Sequence, residues 1–592
     1  MRKLYTAVPR PWLLACAVLC VVALTHNLTG YALFDPDEGR NAEVAREMAE
    51  AGDYVLPHLN GLPYLDKPML YFAVGAVTMK ILGPTVLAAR LPSLIFTFGT
   101  MFVVAWFARR IFGKGAAVPA AIATAATPFT LAYARIVIFD SALAFFVVAA
   151  LVAFYLAIEE RIVSGQVDRR TGEPNLLANS TAIPPYRRTA ELTGEGSSAI
   201  AWVAMAFGVL TKGPIAIALP ILVALPFAIH YRVWRAVIDP VGIFLFCAIV
   251  APWVVAVSLK IPDFLEYALI TETAGRFSTT DLGRTGPFWY FLAILPAAAL
   301  PWSLSLAGSF GSGILHRDQT GRMDRRFVYL ALWIVLPLIF FTLSQSKRPQ
   351  YILPIIPAIA LWVVGAWHVA SARNPGARWG AIGLVIIGVF LAVANDSIPQ
   401  MVPASPGIAA AIPQTATFLG TACIVAGLLA WLSHRHRDLL CLAFTLPIAA
   451  IPLSSHTLMK EIGNERSSEL LAAAISSAAG DSVRVIGVGV FPPSLPFYMN
   501  QTIIVATEDG TELTSNYLSR HVQEYRGFGF PLRRADWWQE ALITCSEPTV
   551  FVASSADTDT REALSQLNVV MATSKYVAYG PCGSETLALR DY

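Results

Sequence analysis

The stretch Phe34-Asp35-Pro36-Asp37-Glu38-Gly39-Arg40 brings three carboxylates and a guanidinium together just after the first apolar segment. A carboxylate placed there can take a proton from an attacking hydroxyl, the task of a general base. Part of the stretch has a structural reading. Asp35 as N-cap, Pro36 at the first helical position and Glu38 three residues after Asp35 make a capping-box start. Ala42, Val44, Ala45, Met48 and Ala49 then recur at roughly helical spacing, so a helix is expected to follow. Asp37 and Arg40, three apart and so on one helix face, are left without a structural task.

Further ionisable residues stand at the ends of apolar runs. They lie in Tyr64-Leu65-Asp66-Lys67-Pro68, at Arg90 and Asp140, in Thr211-Lys212-Gly213-Pro214, at Glu266, Glu272 and Arg276, and in Ser346-Lys347-Arg348-Pro349-Gln350-Tyr351. Singly, each basic residue reads as a side chain snorkelling to a lipid headgroup. Asp140 does not, because an acid beside an apolar run is costly and marks function. Together the set combines carboxylates with several cations, which suits an anionic, lipid-linked substrate.

The elements that must position these residues are membrane helices. Of 592 residues 56% are hydrophobic and 14% charged, which excludes a soluble globule. Many apolar runs reach the roughly 18 residues expected of a membrane span. A net charge of +3, spread over short loops, gives no reason to expect a nucleic-acid partner. Basic loops at Arg109-Arg110 with Lys114, 159–196, 230–235, 316–326, 373–378 and 434–437 are assigned to the cytoplasm. Alternation then predicts spans near 11–33, 91–108, 116–133, 138–158, 198–212, 214–230, 236–257, 288–309, 327–343, 351–371, 379–395, 414–433 and 438–456. That is about thirteen crossings, with Tyr71 to Leu82 lying on the outer surface and not crossing. The first segment is expected to be retained as a helix and not cleaved as a signal peptide. All the chemistry-bearing residues named above then fall on the outer side.

From about Lys460 the composition turns polar. Strand-like runs at 483–490, 502–506 and 549–554 alternate with helical stretches near 465–479, 512–524, 534–544 and 558–567, which predicts a small α/β domain over 460–592. Residues 1–459 are expected to form the membrane part, with juxtamembrane helices over about 36–83. Cys16, Cys20, Cys247, Cys423 and Cys441 read as apolar fillers within spans. Cys545 and Cys582 lie in the tail and are free to pair if it occupies an oxidising compartment. No His/Cys spacing indicates a structural zinc site, and no glycine fingerprint indicates a nucleotide.

The sequence from Asp37-Glu38-Gly39-Arg40-Asn41-Ala42-Glu43-Val44-Ala45-Arg46-Glu47-Met48 through Gly52-Asp53-Tyr54-Val55-Leu56-Pro57-His58-Leu59-Asn60-Gly61 resembles the aminoarabinose (4-amino-4-deoxy-L-arabinose) lipid A transferase family, which is related to the protein O-mannosyltransferases. So do Asp66-Lys67-Pro68, Leu210-Thr211-Lys212-Gly213-Pro214, Arg276-Phe277 and Tyr351-Ile352-Leu353-Pro354. The resemblance implies a GT-C glycosyltransferase fold and inverting transfer of a sugar from a polyprenyl (undecaprenyl) phosphate to lipid A or a related envelope glycan. It implies that Asp37 acts at the acceptor hydroxyl and Asp140 at the sugar. Arg40, Lys67, Arg276, Lys347 and Tyr351 are expected to hold the carrier phosphate, and Glu38, Tyr64, Asp66, Arg90, Lys212 and Glu272 to line the substrate pocket. Family members often carry Glu before the Lys-Pro, where Asp66 stands here. They carry Glu-His before the Arg-Phe, where this chain has Glu272-Thr273, so a divalent metal site implied by the family loses its imidazole here, and no certain cofactor is expected.

Such a transfer needs a base at the acceptor and cations where charge grows on the departing phosphate. The expected place is the bacterial inner membrane, with site and tail facing the periplasm. Two other functions compete: transfer to protein in the manner of the O-mannosyltransferases, and transport of a lipid-linked sugar. A transporter should place its polar groups near mid-membrane, whereas these stand at helix ends. A ligand sensor needs far fewer spans than this chain has.

Overall fold

The computed structural model describes residues 11–165, 196–275, 285–317, 321, 323–370, 374–401, 404–527 and 529–583. The chain is a multi-pass membrane protein with a C-terminal α/β region. Among the described residues seven helices are long and apolar enough to cross a bilayer alone: Val86–Phe112, Asp140–Ser164, Trp234–Lys260, Arg325–Leu343, Pro349–Val369, Pro406–Leu432 and Arg437–Ser454. Pro11–Thr25, Ser197–Lys212, Ile215–His230 and Ala377–Val393 are shorter apolar helices within four more of the predicted segments.

Two predicted spans are broken. The segment expected at 116–133 is a pair, Lys114–Ala125 and Pro128–Ala134, meeting at 70°. Thr127 starts the second helix by accepting a hydrogen bond from the Thr130 amide at 3.2 Å, and Pro128 has no amide to continue the first. The segment expected at 288–309 bends by 103° between Tyr290–Ala298 and Trp302–Gly311, where Pro301 again lacks the donor a continuous helix needs.

Leu70–Leu82 has 13 residues. At about 1.5 Å per residue it is too short for a hydrocarbon core of about 30 Å. It packs on Asp37–Ala51 so closely that a Cβ on Gly75 would lie 2.9 Å from the Ala45 methyl. Phe72 and Ala76 are fully buried in the same cluster as Val44 and Ala45.

The tail carries a six-stranded sheet in the spatial order Leu532–Arg533, Ile504–Ala506, Arg484–Val488, Thr549–Ser554, Tyr576–Cys582, Val569–Ala572. The first four are parallel and the last two antiparallel to their neighbours. Leu532–Arg533 and Val569–Ala572 at the sheet's edges, and Tyr576–Cys582 just inside one of them, escape a reading by pattern: the first has two residues and the last contains a Gly-Pro pair. Cys545 and Cys582 form a disulfide. The sheet is not tethered loosely. Tyr64, Phe72, Phe139 and Phe264 share one buried cluster with Leu471, Phe497, Tyr517 and Val550, so the tail is seated on the juxtamembrane helices. Helix His456–Arg466 runs through the expected boundary at 460.

Candidate active site beneath the C-terminal domain

The acidic stretch opens helix Asp37–Ala51, but not by the expected cap. Asp35 places no side-chain oxygen on the helix; its Oδ2 accepts from Ser494 at 2.7 Å and Ser468 at 3.3 Å in the tail. Glu38 does reach back, accepting from the Phe34 amide at 3.0 Å. Burial pushes the Asp35 carboxyl up to about 7, against the opposing effect of the two serines. Gly39 permits this close seating, since a Cβ there would meet Asp35 Oδ1 at 2.2 Å and Ser494 Cβ at 2.6 Å.

Glu38 and Arg90, expected in the substrate pocket, are instead buried anchors. Arg90 gives Nε and Nη2 to the two Glu38 oxygens at 3.0 and 2.9 Å, and the Val137 amide adds 2.9 Å. The other Arg90 bonds go to the carbonyls of Leu28, Tyr31 and Ala32, which follow the first helix. The pair closes the open peptide groups of that turn, the reason a buried guanidinium is tolerated.

Asp37 faces the other way. Its Oδ1 lies 2.6 Å from Arg40 Nη2 and its Oδ2 3.1 Å from Arg348 Nη1, with the side chain 38% exposed. Arg40 in turn donates Nη1 to both the carbonyl and the hydroxyl of Thr514, each at 2.9 Å, and lies over the Tyr64 ring at 5.9 Å. Thr514 is β-branched and has φ +53°, a strained conformation for such a residue.

Lys67 bonds Glu272 at 3.1 Å and the neighbouring Asp66 carbonyl. Glu272 also accepts from Asn516 Nδ2 at 2.7 Å. The Asp66 carboxylate accepts from Tyr267 at 2.6 Å, Ser515 at 3.2 Å and the amides of Asn516 and Tyr517 at 3.0 and 3.2 Å. It is a clamp for the tail. Burial and the two carboxylates raise the Tyr267 pKa strongly, so its phenol stays a donor.

On the far side of Phe139 stands the second ion pair. Lys67 Nζ lies 5.7 Å and Lys212 Nζ 5.2 Å from that ring, and Lys212 bonds Asp140. Lys212 also lies over Tyr351, 4.9 Å from the centroid, and Tyr351 lies in the short helical segment Pro349–Ile355, which Arg348 immediately precedes. The contacts therefore close a ring: Asp37, Arg40, Tyr64, the Asp66–Glu272–Lys67 group, Phe139, Lys212 with Asp140, Tyr351, and back through Arg348. Asp140 Oδ2 is buried and accepts no hydrogen bond among the described residues.

Lys347 departs from its expected role in holding phosphate. Its ammonium bonds the carbonyls of Thr342 and Ser344, capping helix Arg325–Leu343 at 2.9 and 2.8 Å. Its neighbour Arg348, named in the sequence only as part of the stretch from Ser346 to Tyr351 and given no role there, reaches Asp37. Arg276 lies outside the described residues. Thr514 and Asn516 also escaped notice, since polar residues in a polar tail carry no signal.

Residues 66–165 match the family model described as dolichyl-phosphate-mannose-protein mannosyltransferase. The undecaprenyl phosphate-alpha-4-amino-4-deoxy-L-arabinose arabinosyl transferase of Serratia proteamaculans is 27% identical over 402 residues, 66% of this chain and 66% of that one. The second protein of that description from Sodalis glossinidius is 30% identical over 387 residues, 64% of each chain. The chain thus spans just under two thirds of these curated relatives' length. The fold likeness runs further. The crystal structure of ArnT from Cupriavidus metallidurans bound to undecaprenyl phosphate matches with a TM-score of 0.79 and 23% identity, covering 98% of this chain and 99% of that chain. The chain is thus a relative of the aminoarabinose transferases in sequence, and it has their GT-C membrane fold.

Proposed function

We propose that this chain is an inverting glycosyltransferase that moves a sugar from a polyprenyl phosphate to an envelope acceptor, lipid A or a related glycan. The observation that carries the reading is Asp37: a carboxylate braced on both oxygens by guanidiniums, with more than a third of its side chain open, on a ring of cations. In the proposed step the acceptor hydroxyl attacks the anomeric carbon, its proton passes to Asp37, and the bond from that carbon to the phosphate oxygen breaks. The carrier leaves as a phosphate monoester, its new charge met by Lys67, Lys212 and Arg348. The buried Asp140 Oδ2 accepts a hydroxyl or amine of the donor sugar.

The proposed step uses no metal. Both Glu272 oxygens are engaged, by Lys67 and by Asn516, and Thr273 supplies no imidazole beside it. Transport is disfavoured because the ion pairs stand at helix ends under the tail.

The proposed location of the chemistry is the periplasmic face of the bacterial inner membrane. The distribution of basic loops supports a tail outside, and its disulfide suits an oxidising compartment. With the free cysteines replaced, Ser565→Cys should react with an impermeant thiol reagent in cells whose outer barrier is permeabilised. Lys114→Cys should react only after the inner membrane is opened; the reverse pattern would overturn the assignment. Mass spectrometry of envelope lipids, with and without the chain, identifies sugar and acceptor. No sugar-bearing lipid or glycan dependent on the chain would contradict transfer.

A further inference from the structure

A cavity of about 250 Å³ lies beside the site, lined by Asp35 and Pro36 from the acidic stretch, Val490, Phe491 and Pro493 after the first strand, and Lys575 and Tyr576 at the start of another. Glu512 and Thr514 complete its wall. Its position in the sheet is informative. The first strand, Arg484–Val488, has Ile504–Ala506 on one side and Thr549–Ser554 on the other, all parallel. The strand order therefore reverses at this point, and the cavity opens off the carboxyl ends, next to Ser554 and its partner Tyr576. Open α/β sheets bind their ligands at such switch points.

The lining defines the ligand. Asp35 contributes to the wall, but its Oδ1 is packed against Gly39, closed to solvent, and meets no hydrogen-bond donor among the described residues. Lys575 is exposed at the rim and supplies a cation for an anionic group. Val490, Phe491 and Pro493 present buried apolar surface of the kind that packs on the C–H face of a sugar ring. The volume falls below the roughly 300–1,000 Å³ of a drug-sized pocket, so it takes a headgroup and not a whole lipid. Thr514 joins this cavity to the chemistry: one strained residue lines the wall and holds Arg40, the partner of Asp37.

We propose that this crevice is the acceptor subsite, taking a phosphorylated sugar headgroup with its phosphate at Lys575 and its ring against Val490, Phe491 and Pro493. The inference rests on the transfer reading, and it makes the C-terminal domain part of the substrate site. Two variants test it in the full-length chain in lipid nanodiscs. Lys575→Glu reverses an exposed charge, and Val490→Trp fills the cavity. Glucosamine 1-phosphate is the direct probe, by isothermal titration; lipid A is the acceptor in a transfer assay. Wild type should bind the probe, and both variants should weaken it by about tenfold or more, the scale of a lost charge-assisted bond. Each should raise the KM for lipid A while leaving the KM for the polyprenyl-phosphate donor unchanged. Absence of probe binding to wild type, or variants that bind it as wild type does, would overturn the subsite even if transfer proceeds. Probe binding without any transfer would leave the subsite standing and contradict the transfer reading instead. Binding of inorganic phosphate as tight as that of the sugar phosphate would reduce the crevice to an anion site and overturn the headgroup assignment.

Discussion

Asp37 and Glu38 are neighbours on the first turn of one helix, about 100° apart around its axis, and the fold uses them in opposite ways. The Glu38 side chain is 4% exposed, and its two oxygens take Arg90, the Val137 amide and the Phe34 amide. The Asp37 side chain is 38% exposed and held by two arginines, from 3 and 311 residues away. A dry carboxylate saturated with donors has no lone pair to offer an incoming hydroxyl. One that is braced but open can exchange a partner for substrate. The contrast separates an anchor from a base more sharply than residue type does.

The comparison breaks if the anchor is dispensable. Arg90→Met leaves Glu38 buried without its cation, and removing one member of a buried pair costs about 3–5 kcal/mol. The expected result is a large fall in the thermal midpoint in detergent, or failure to accumulate. On the open side, Arg348→Ala should leave the melting profile near wild type and lower kcat by about 10²-fold, the scale of one lost transition-state donor. A melt shifted as far as that of Arg90→Met would make Arg348 a second anchor. Lys67→Ala should raise the KM for the lipid carrier by about tenfold, and Lys114→Ala should leave it unchanged. Equal effects would remove Lys67 from the carrier site.

A further expected effect is a pH slope. Burial raises the Asp35 carboxyl from its ordinary 3.8 to about 7 in the folded chain. The native state therefore binds the proton more tightly, and stability falls as pH rises between those values. Asp35→Asn should flatten part of this decline; thermal midpoints measured from pH 5 to 7.5 compare the slopes. An unchanged slope would show that Asp35 titrates normally.

Much of the site was legible because charges beside apolar runs are conspicuous. Asp37 with Arg40, Lys67, Asp140, Lys212 and Tyr351 all meet in one ring, as their shared position at helix ends implied. Geometry alone decides between Lys347 and Arg348, which are adjacent and chemically alike. The Glu38–Arg90 pairing spans 52 residues and leaves no local pattern. The capping-box grammar was satisfied by Asp35 and Glu38, yet tertiary contacts with Ser494 and Ser468 took Asp35 away from the helix. The apolar segments were read correctly as helices, but the bends at Pro128 and Pro301 depend on what packs around the break. Least legible was the tail's share in the site, since Thr514 and Asn516 act through contacts more than 200 residues away in sequence.

The account turns on Asp37 as the base. The direct measurement is kcat for Asp37→Asn, in a purified transfer assay with carrier binding and thermal midpoint recorded on the same sample. The amide keeps the shape and cannot take the proton, so kcat should fall by about two to four orders of magnitude with carrier affinity and melting unchanged. Transfer close to the wild-type rate would contradict the role and turn attention to Asp140.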